Sequence, residues 1–404
     1  MVETLPSSLE VQTGPFGTSQ DSLEPAFESV SVTGLPAAER QPPPLPSSWT
    51  APEERSPSMA LMGVGLSLFG LRSLPLVGRT LERNVIWRAL ASMQPSGVGN
   101  TEQGQAGEGQ AGVGQAGVAH ASEGHGQAGE AQAGEAQAGV ARAVVLQGLA
   151  GVGRTRLAGW ICERAHELGA ATVLKASYRP GGGPADGLGP MLRQHLRGGG
   201  LDREALLARL EPLLQRQGVH DAYEPKALLE LMMPSEEDTV GLNRSSGLFE
   251  TSGVHFAHVG QRHVVLRRFL ERLSQERPVI LWIDDAQWGP EALEFAIHLL
   301  RTQRISPHPI LVLLSIQEEA LATRPLEARL LDALLAKEGV ERVMVQPLPP
   351  PDHAALVRGL LGLEESVAIQ VERRTNGNPL FAVQLVQDWV HRGVLVVGKT
   401  GFAL

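Results

Sequence analysis

The stretch that decides the fold is Val144-Val145-Leu146-Gln147-Gly148-Leu149-Ala150-Gly151-Val152-Gly153-Arg154-Thr155. A short, β-branched apolar run leads into a glycine-rich loop, and an amphipathic helical pattern begins at Arg154. The order strand, glycine loop, helix is typical of a phosphate-binding loop, or P-loop. Glycines let successive backbone N–H groups turn towards an anion, and the start of the helix adds a partial positive charge.

The loop departs from the pattern Gly-x4-Gly-Lys-[Ser/Thr] at one position, where Arg154 replaces lysine. Thr155 is predicted to give its hydroxyl to Mg2+, and Arg154 has to reach the β- and γ-phosphates. Arginine keeps the charge but is bulkier and forks its donors. We therefore expect the loop still to bind nucleotide but to support hydrolysis less well. The alternative is a glycine-rich turn that binds no ligand. The predicted nucleotide-binding residues of this stretch are Gly148, Leu149, Ala150, Gly151, Val152, Gly153, Arg154, Thr155 and Arg156.

A second pattern is the apolar run 279–283, which ends in Asp284 and Asp285. Paired acids after a buried strand suit a nucleotide-bound Mg2+: Asp284 would hold the metal's water shell, and Asp285 would orient or deprotonate an attacking water. The alternative is a buried strand whose acids cap the next helix. The P-loop earlier in the chain favours the metal site.

Composition and charge exclude several classes of protein. The net charge is −9 and no lysine-rich patch occurs, which argues against a nucleic-acid surface. The single cysteine, Cys162, allows no internal disulfide and fits a reducing compartment. The most apolar run, 59–71, is shorter than the roughly 20 residues that span a bilayer, and no secretory signal opens the sequence. We expect a cytoplasmic protein without membrane association.

Strand-like runs alternate with helical patterns from 142 onward, which predicts an α/β fold with a parallel sheet covered on both faces, a three-layer sandwich. The strands are expected at 143–147, 171–176, 278–283, 309–315 and 341–346. A helical region follows from 351 to 392, and 394–404 resembles a hairpin with no further core to receive it. The predicted organisation is a disordered Pro/Ser-rich region at 1–57, an apolar linker at 58–73, the first folded segment at 74–95, a Gly/Ala/Gln low-complexity insertion at 96–141, the P-loop core at 142–347, a helical lid at 348–392 and a truncated hairpin at 393–404.

Together these motifs resemble the AAA+/STAND class of signalling ATPases, specifically the origin-recognition-like AAA ATPase domain of bacterial regulators. The resemblance covers 74–95 and 142–392. Val77-Gly78-Arg79 is similar to the opening motif of that family, which lies near the adenine. The turn 377–381 is similar to its lid motif, in which Pro379 would pack on the nucleotide; a plain helix–turn–helix junction is the alternative. The resemblance implies ATP and Mg2+ as cofactors, with Thr155 and Asp284 on the metal and with Asp285 and Arg154 in catalysis.

One feature weakens the expectation of ATP turnover, and another weakens the expectation that the protein is complete. Gln317 stands where relatives place an arginine that senses the γ-phosphate, which adds to the departure at Arg154. The segment 68–72 resembles the junction between a Ser/Thr kinase domain and such an ATPase, yet the sequence has no kinase catalytic motif. We therefore expect a shortened or split relative of a larger protein.

Three functions remain open at this point. The first is a nucleotide-operated switch with slow ATP hydrolysis, acting on a protein partner such as a signalling kinase or regulatory module, as a monomer or an oligomer. The second is a non-hydrolysing scaffold for protein interactions, which Arg154 and Gln317 favour. The third is a DNA-binding transcription regulator, against which the acidic charge balance counts.

Overall fold

The computed structural model describes residues 48–49, 76–93, 140–234, 254, 256–398 and 400–404. The predicted disordered region, apart from 48–49, lies outside the described residues. So do the whole predicted linker and the low-complexity insertion up to residue 139. Those three assignments stay predictions. In the described part of the chain, no helix has the length and apolarity needed to cross a membrane.

A five-stranded parallel sheet carries the fold, in the order β2-β3-β4-β1-β5. Its strands are β1 (Arg142–Gly148), β2 (Thr172–Ser177), β3 (Val279–Asp284), β4 (Ile310–Gln317) and β5 (Val340–Met344). Ser177 pairs with Asp284, and Gly148 pairs with Gln317, so the last residues of four strands meet at one edge. This carboxyl edge is where open α/β sheets bind ligands.

Helices precede, connect and follow the strands. In the core they are α1 (Thr80–Ala91), α2 (Arg154–Glu167), α3 (Leu188–His195), α4 (Arg203–Arg216), α5 (Tyr223–Met232), α6 (Val259–Glu276), α7 (Pro290–Thr302), α8 (Glu318–Leu321) and α9 (Pro325–Leu335). Those after the sheet are α10 (Pro350–Leu360), α11 (Glu365–Thr375) and α12 (Pro379–His391). The predicted helical region thus consists of three helices. Asn376 and Gly377 take left-handed conformations between α11 and α12 and separate these two.

Both faces of the sheet are buried, which explains the nearly continuous apolar runs of its central strands. Val144 and Leu146 face α1 and α2, whereas Val145 faces the helices on the other side, where Phe269 and Phe295 fill the core. The predicted three-layer α/β fold with a parallel sheet is confirmed.

The C-terminal hairpin pairs Val396–Val397 with Phe402–Ala403, and the expectation that it lacks a core to receive it is wrong. Phe402 packs against the apolar cluster formed by the last three helices. Its carbonyl accepts a hydrogen bond from the Glu364 amide at 2.9 Å. These contacts attach the hairpin to the start of α11.

Candidate functional site

The glycine loop between β1 and α2 lies at the carboxyl edge of the sheet. Gly151 and Gly153 have positive φ angles of 78° and 97°, which residues with a side chain rarely adopt. A Cβ at Gly151 would lie 2.6 Å from Oδ1 of Asn378, whereas a Cβ at Gly153 would meet no atom within 4 Å. The loop therefore contacts the helical lid at Gly151 and faces open space at Gly153, as a phosphate cradle requires.

Arg154 turns back into the loop that it follows. Its Nη1 donates to the carbonyl of Gly148 at 2.6 Å and also to that of Leu149. The residue is only 7% exposed. Burial lowers the pKa of Arg154, and Asp285, Glu319 and Asp284 partly offset this effect. The structure thus places the guanidinium on the loop's own carbonyls; its predicted contact with the β- and γ-phosphates stays a prediction.

The predicted metal residues lie side by side. Thr155 Oγ1 donates to Asp284 Oδ1 at 2.9 Å, and Ser315 Oγ donates to the same oxygen at 2.5 Å. Lys175 Nζ lies 3.3 Å from Asp284 Oδ2. A hydroxyl beside a carboxylate offers the oxygen ligands that Mg2+ prefers when phosphates and water complete its shell. Thr155 and Asp284 therefore fit a nucleotide-bound Mg2+.

Asp285, the predicted water-orienting acid, is held in a left-handed conformation with φ of 54°. Such a conformation costs on the order of 1 kcal/mol for a non-glycine residue. Its amide donates to Ser315 Oγ at 3.0 Å, and its Oδ1 accepts from Gln287 Nε2 at 3.1 Å. The fully buried Gln287 in turn accepts from the Gln317 amide at 3.1 Å. Asp285 is thus fixed relative to the end of β4.

The opening motif lies against the P-loop. Arg79 is buried, and its Nη2 donates to the carbonyls of Val152 at 2.9 Å and Gln346 at 2.6 Å. Gly78 has φ of 65°, and a Cβ there would collide with the Asp352 carboxylate at the start of α10. The segment 77–79 therefore ties the loop, the residues after β5 and the lid together.

The first residues of α12 touch the P-loop directly. Asn378 caps this helix by accepting from the Phe381 amide at 3.1 Å, and its Nδ2 donates to the Ala150 carbonyl at 3.0 Å. The Leu380 amide donates to the Gly151 carbonyl at 3.2 Å. The lid and the loop are thus joined by two hydrogen bonds.

A cavity of about 1030 Å³ opens beside these elements, and its size suits a nucleotide. The predicted site residues that line it are Val77, Arg79, Gly151, Val152, Gly153, Arg154, Thr155, Arg156 and Pro379. Gly78, Gly148, Leu149, Ala150, Asp284 and Asp285 lie next to it but are not among its lining residues.

Four residues of the site have no predicted role: Lys175, Ser315, Glu319 and Asn378. Lys175 and Ser315 are polar residues near the ends of apolar strands, which is a usable signal at a carboxyl edge. Asn378 lies in the quoted lid motif, but its partner Ala150 is distant in sequence. Glu319 gives no local signal, because its contact with the Ala150 amide depends on where α8 lies.

Comparison with protein families finds a match in the middle of the chain. Residues 130–313 match the family described as "AAA ATPase domain". This segment contains the P-loop, the strand that ends in Asp284 and the first half of β4. No curated protein is similar enough to the chain to count as a match.

Three solved structures illustrate the likeness at low sequence identity. The ORC1 protein of Aeropyrum pernix in complex with DNA is 15% identical, with TM-score 0.33 over 63% of this chain and 55% of that one. A Walker-type ATPase of Pyrococcus abyssi is 14% identical, with TM-score 0.34 over 62% and 63%. Cdc6p of Pyrobaculum aerophilum is 13% identical, with TM-score 0.34 over 63% and 56%. The chain thus spans less than two thirds of each of these structures.

Proposed function

We propose that this chain is a nucleotide-operated switch, on the premise that residues 130–313 form an AAA ATPase domain and that the chain contains an AAA+ P-loop NTPase fold. ATP with Mg2+ would bind in the cavity beside the loop, and the position of the helical lid would report the nucleotide state to a protein partner.

The shape and chemistry of the site support ATP as the ligand. The open space at Gly153 leaves room for phosphate oxygens. The start of α2 provides the backbone N–H groups to which they would bind. Thr155 and Asp284 would hold Mg2+, which would neutralise charge on the phosphates. Val77, Arg79 and Pro379 line the same cavity and would enclose the rest of the nucleotide.

The observation that carries the switch is the direct contact between lid and loop. Asn378 and Leu380 hydrogen-bond to the carbonyls of Ala150 and Gly151, which lie in the segment that would surround the phosphates. A nucleotide that moves this segment by even 1 Å must lengthen these bonds or move α12 with it. These two hydrogen bonds would therefore couple the position of the lid to the nucleotide state.

Hydrolysis, if the switch uses it, would be slow. Asp285 is fixed at the carboxyl edge, where it could orient water. The charge of Arg154, however, is taken by two loop carbonyls, and Gln317 offers an amide rather than a cation at the end of β4. Both features leave less positive charge for a phosphoryl-transfer transition state.

The test is a titration of the full chain with a fluorescent ATP analogue, alone and with Mg2+, followed by limited proteolysis to probe the lid. We expect saturable binding and a nucleotide-dependent change in cleavage around α12. Asn378→Ala should retain binding but weaken the link between nucleotide and cleavage pattern. Gln387→Ala, on the same helix but remote from the loop, is the control. No binding at millimolar nucleotide would contradict the proposal.

A second candidate is a scaffold that binds nucleotide without hydrolysing it. The bonds between Arg154 and the loop carbonyls favour it, because they stabilise the loop without any ligand. Phosphate release distinguishes the two: a scaffold retains bound ATP intact, whereas a switch that resets releases phosphate.

We further propose a cytoplasmic role in bacterial signalling, as in STAND-class regulators, with a kinase or regulatory module as partner. The resemblance of 68–72 to a kinase–ATPase junction supports this setting. A kinase reading frame directly upstream would strengthen it, and unrelated flanking genes would weaken it. Sedimentation with and without ATP would show whether the switch acts as an oligomer.

A further inference from the structure

Two basic residues, Arg154 and Lys175, line the cavity near Asp284, and they differ in exposure and in hydrogen-bond partners. Arg154 is 7% exposed and bonded to loop carbonyls. Lys175, on β2, has a side chain that is 40% exposed, and it lines the cavity. Both residues line the cavity, but Nη1 of Arg154 is bonded to the loop carbonyls, whereas the Lys175 ammonium is the more exposed of the two charges.

The ammonium group of Lys175 is held in place from two sides. Its Nζ lies 3.3 Å from Asp284 Oδ2 and 3.8 Å from the centre of the Trp282 ring. The indole is itself confined, because a Cβ at Gly159 of α2 would come within 3.2 Å of it. The cation–π contact with the indole and the ion pair with the carboxylate both stabilise this position of the ammonium group.

With Lys175 in this position, both carboxylate oxygens of Asp284 have partners. Oδ1 accepts from Thr155 and Ser315, and Oδ2 faces Lys175. A polyphosphate placed beside an uncompensated carboxylate would be repelled by it. A bound Mg2+ would offset this repulsion. Here the Lys175 ammonium already places a positive charge beside one oxygen of the same carboxylate.

We propose that Lys175 is a built-in counterion for Asp284 and the nucleotide phosphates, so that this site binds ATP nearly as well without Mg2+ as with it. The inference rests on the proposed function, since it concerns the same cavity. It assigns Lys175 a binding role that the P-loop pattern gives to the residue at position 154. It also makes Lys175 and Mg2+ competitors for the Asp284 carboxylate.

The experiment is a titration of the full chain with a fluorescent ATP analogue in excess MgCl2 and in EDTA. The parent protein should show Kd values that differ by less than about threefold between the two solutions. Lys175→Met should bind about tenfold more weakly than the parent in EDTA, which corresponds to about 1.4 kcal/mol, and Mg2+ should restore most of the loss. Lys337→Met, an exposed lysine at the end of α9, is the matched control and should behave like the parent.

A double variant separates the charge effect from damage to the fold. Lys175→Met combined with Asp284→Asn removes both the cation and the carboxylate, so affinity in EDTA should recover towards that of the parent; a misfolded Lys175→Met would not recover. A parent protein that needs Mg2+ for binding would overturn the inference and leave the proposed function standing. So would a Lys175→Met variant with unchanged affinity in EDTA. Absence of binding in both solutions would overturn the proposed function and the inference together.

Discussion

The backbone N–H of Ala150 donates a hydrogen bond to Oε1 of Glu319, 3.0 Å away. Ala150 lies in the P-loop, and Glu319 lies in the short helix after β4. Desolvation acts to raise the pKa of Glu319, but the bond from Ala150, with Arg154 and Gln317 nearby, outweighs it and the pKa is lowered. An ionised carboxylate therefore accepts from a loop amide that the proposed nucleotide site would otherwise offer to a phosphate.

Replacing this carboxylate should tighten nucleotide binding. In Glu319→Gln the negative charge is removed, so the loop amide is contested less strongly and the phosphates are repelled less. We expect the Kd for ATP to fall by about three- to tenfold, that is by about 1 kcal/mol. Glu318→Gln, its exposed neighbour, is the control. Equal affinities for both variants and the parent would show that Glu319 does not compete with the nucleotide.

Arg154→Lys should raise the rate of ATP hydrolysis. Arg154 is buried with Nη1 of its planar guanidinium bonded to both the Gly148 and the Leu149 carbonyl. The lysine ammonium is a compact charge on a flexible stem, so it is freer to follow the phosphates. Single-turnover phosphate release, measured for parent and variant at saturating ATP, tests this. If the two rates are the same, Arg154 is not what limits turnover.

Cys162 should react slowly with alkylating reagents in the folded protein. Burial raises the pKa of the Cys162 thiol to about 12, so only about one molecule in ten thousand carries the reactive thiolate at pH 8. Iodoacetamide labelling followed by mass spectrometry should therefore be slow in buffer and rapid in urea. Rapid labelling in buffer would mean that α2 opens to solvent far more often than its packing suggests.

Stability should fall as the solution is acidified, in part because of His263. Burial, together with the nearby His298 and Arg262, lowers the pKa of His263 to about 4 from the ordinary 6.5. The unfolded chain therefore binds a proton below pH 6.5 that the folded chain does not take up until about pH 4, so the free energy of unfolding decreases over that interval. The loss from this group is about 2 kcal/mol at pH 5 relative to pH 8.

Urea unfolding of the parent and of His263→Phe at pH 8 and pH 5 measures this contribution. The His263 ring packs 5.6 Å from that of Phe295, so phenylalanine is a suitable replacement. The variant should lose about 2 kcal/mol less than the parent between the two pH values. Parallel pH profiles would place the acid sensitivity elsewhere.

The sequence predicted the local elements well because burial on both sheet faces leaves a local record. The central strands β3 and β4 are nearly continuous apolar runs. β3 ends at its first polar residue, Asp284, whereas β4 continues past Ser315 to Gln317. The loop at 148–155 was equally clear in the sequence, because Gly151 and Gly153 stand where the backbone takes positive φ angles.

Contacts between strands that are far apart along the chain could not be predicted from the sequence in this way. Lys175 meets Asp284 because β2 pairs with β3 in a register that sets Ser177 opposite Asp284. Ser315 reaches the same carboxylate from β4, the neighbour on the other side. Nothing in the spacing of these residues along the chain specifies that neighbourhood.

The sequence by itself determined that this protein has a P-loop, a buried strand ending in two acids and a helical segment after the sheet. Each of these depends on periodicity and composition within a few turns or strands. The tertiary structure alone decided that Arg154 bonds to its own loop, that Lys175 stands at Asp284, and that Glu319 and Asn378 hold Ala150 from two sides. The reason is that strand order and helix placement minimise exposed apolar area over the whole core, and polar partners at the sheet edge follow from that global arrangement.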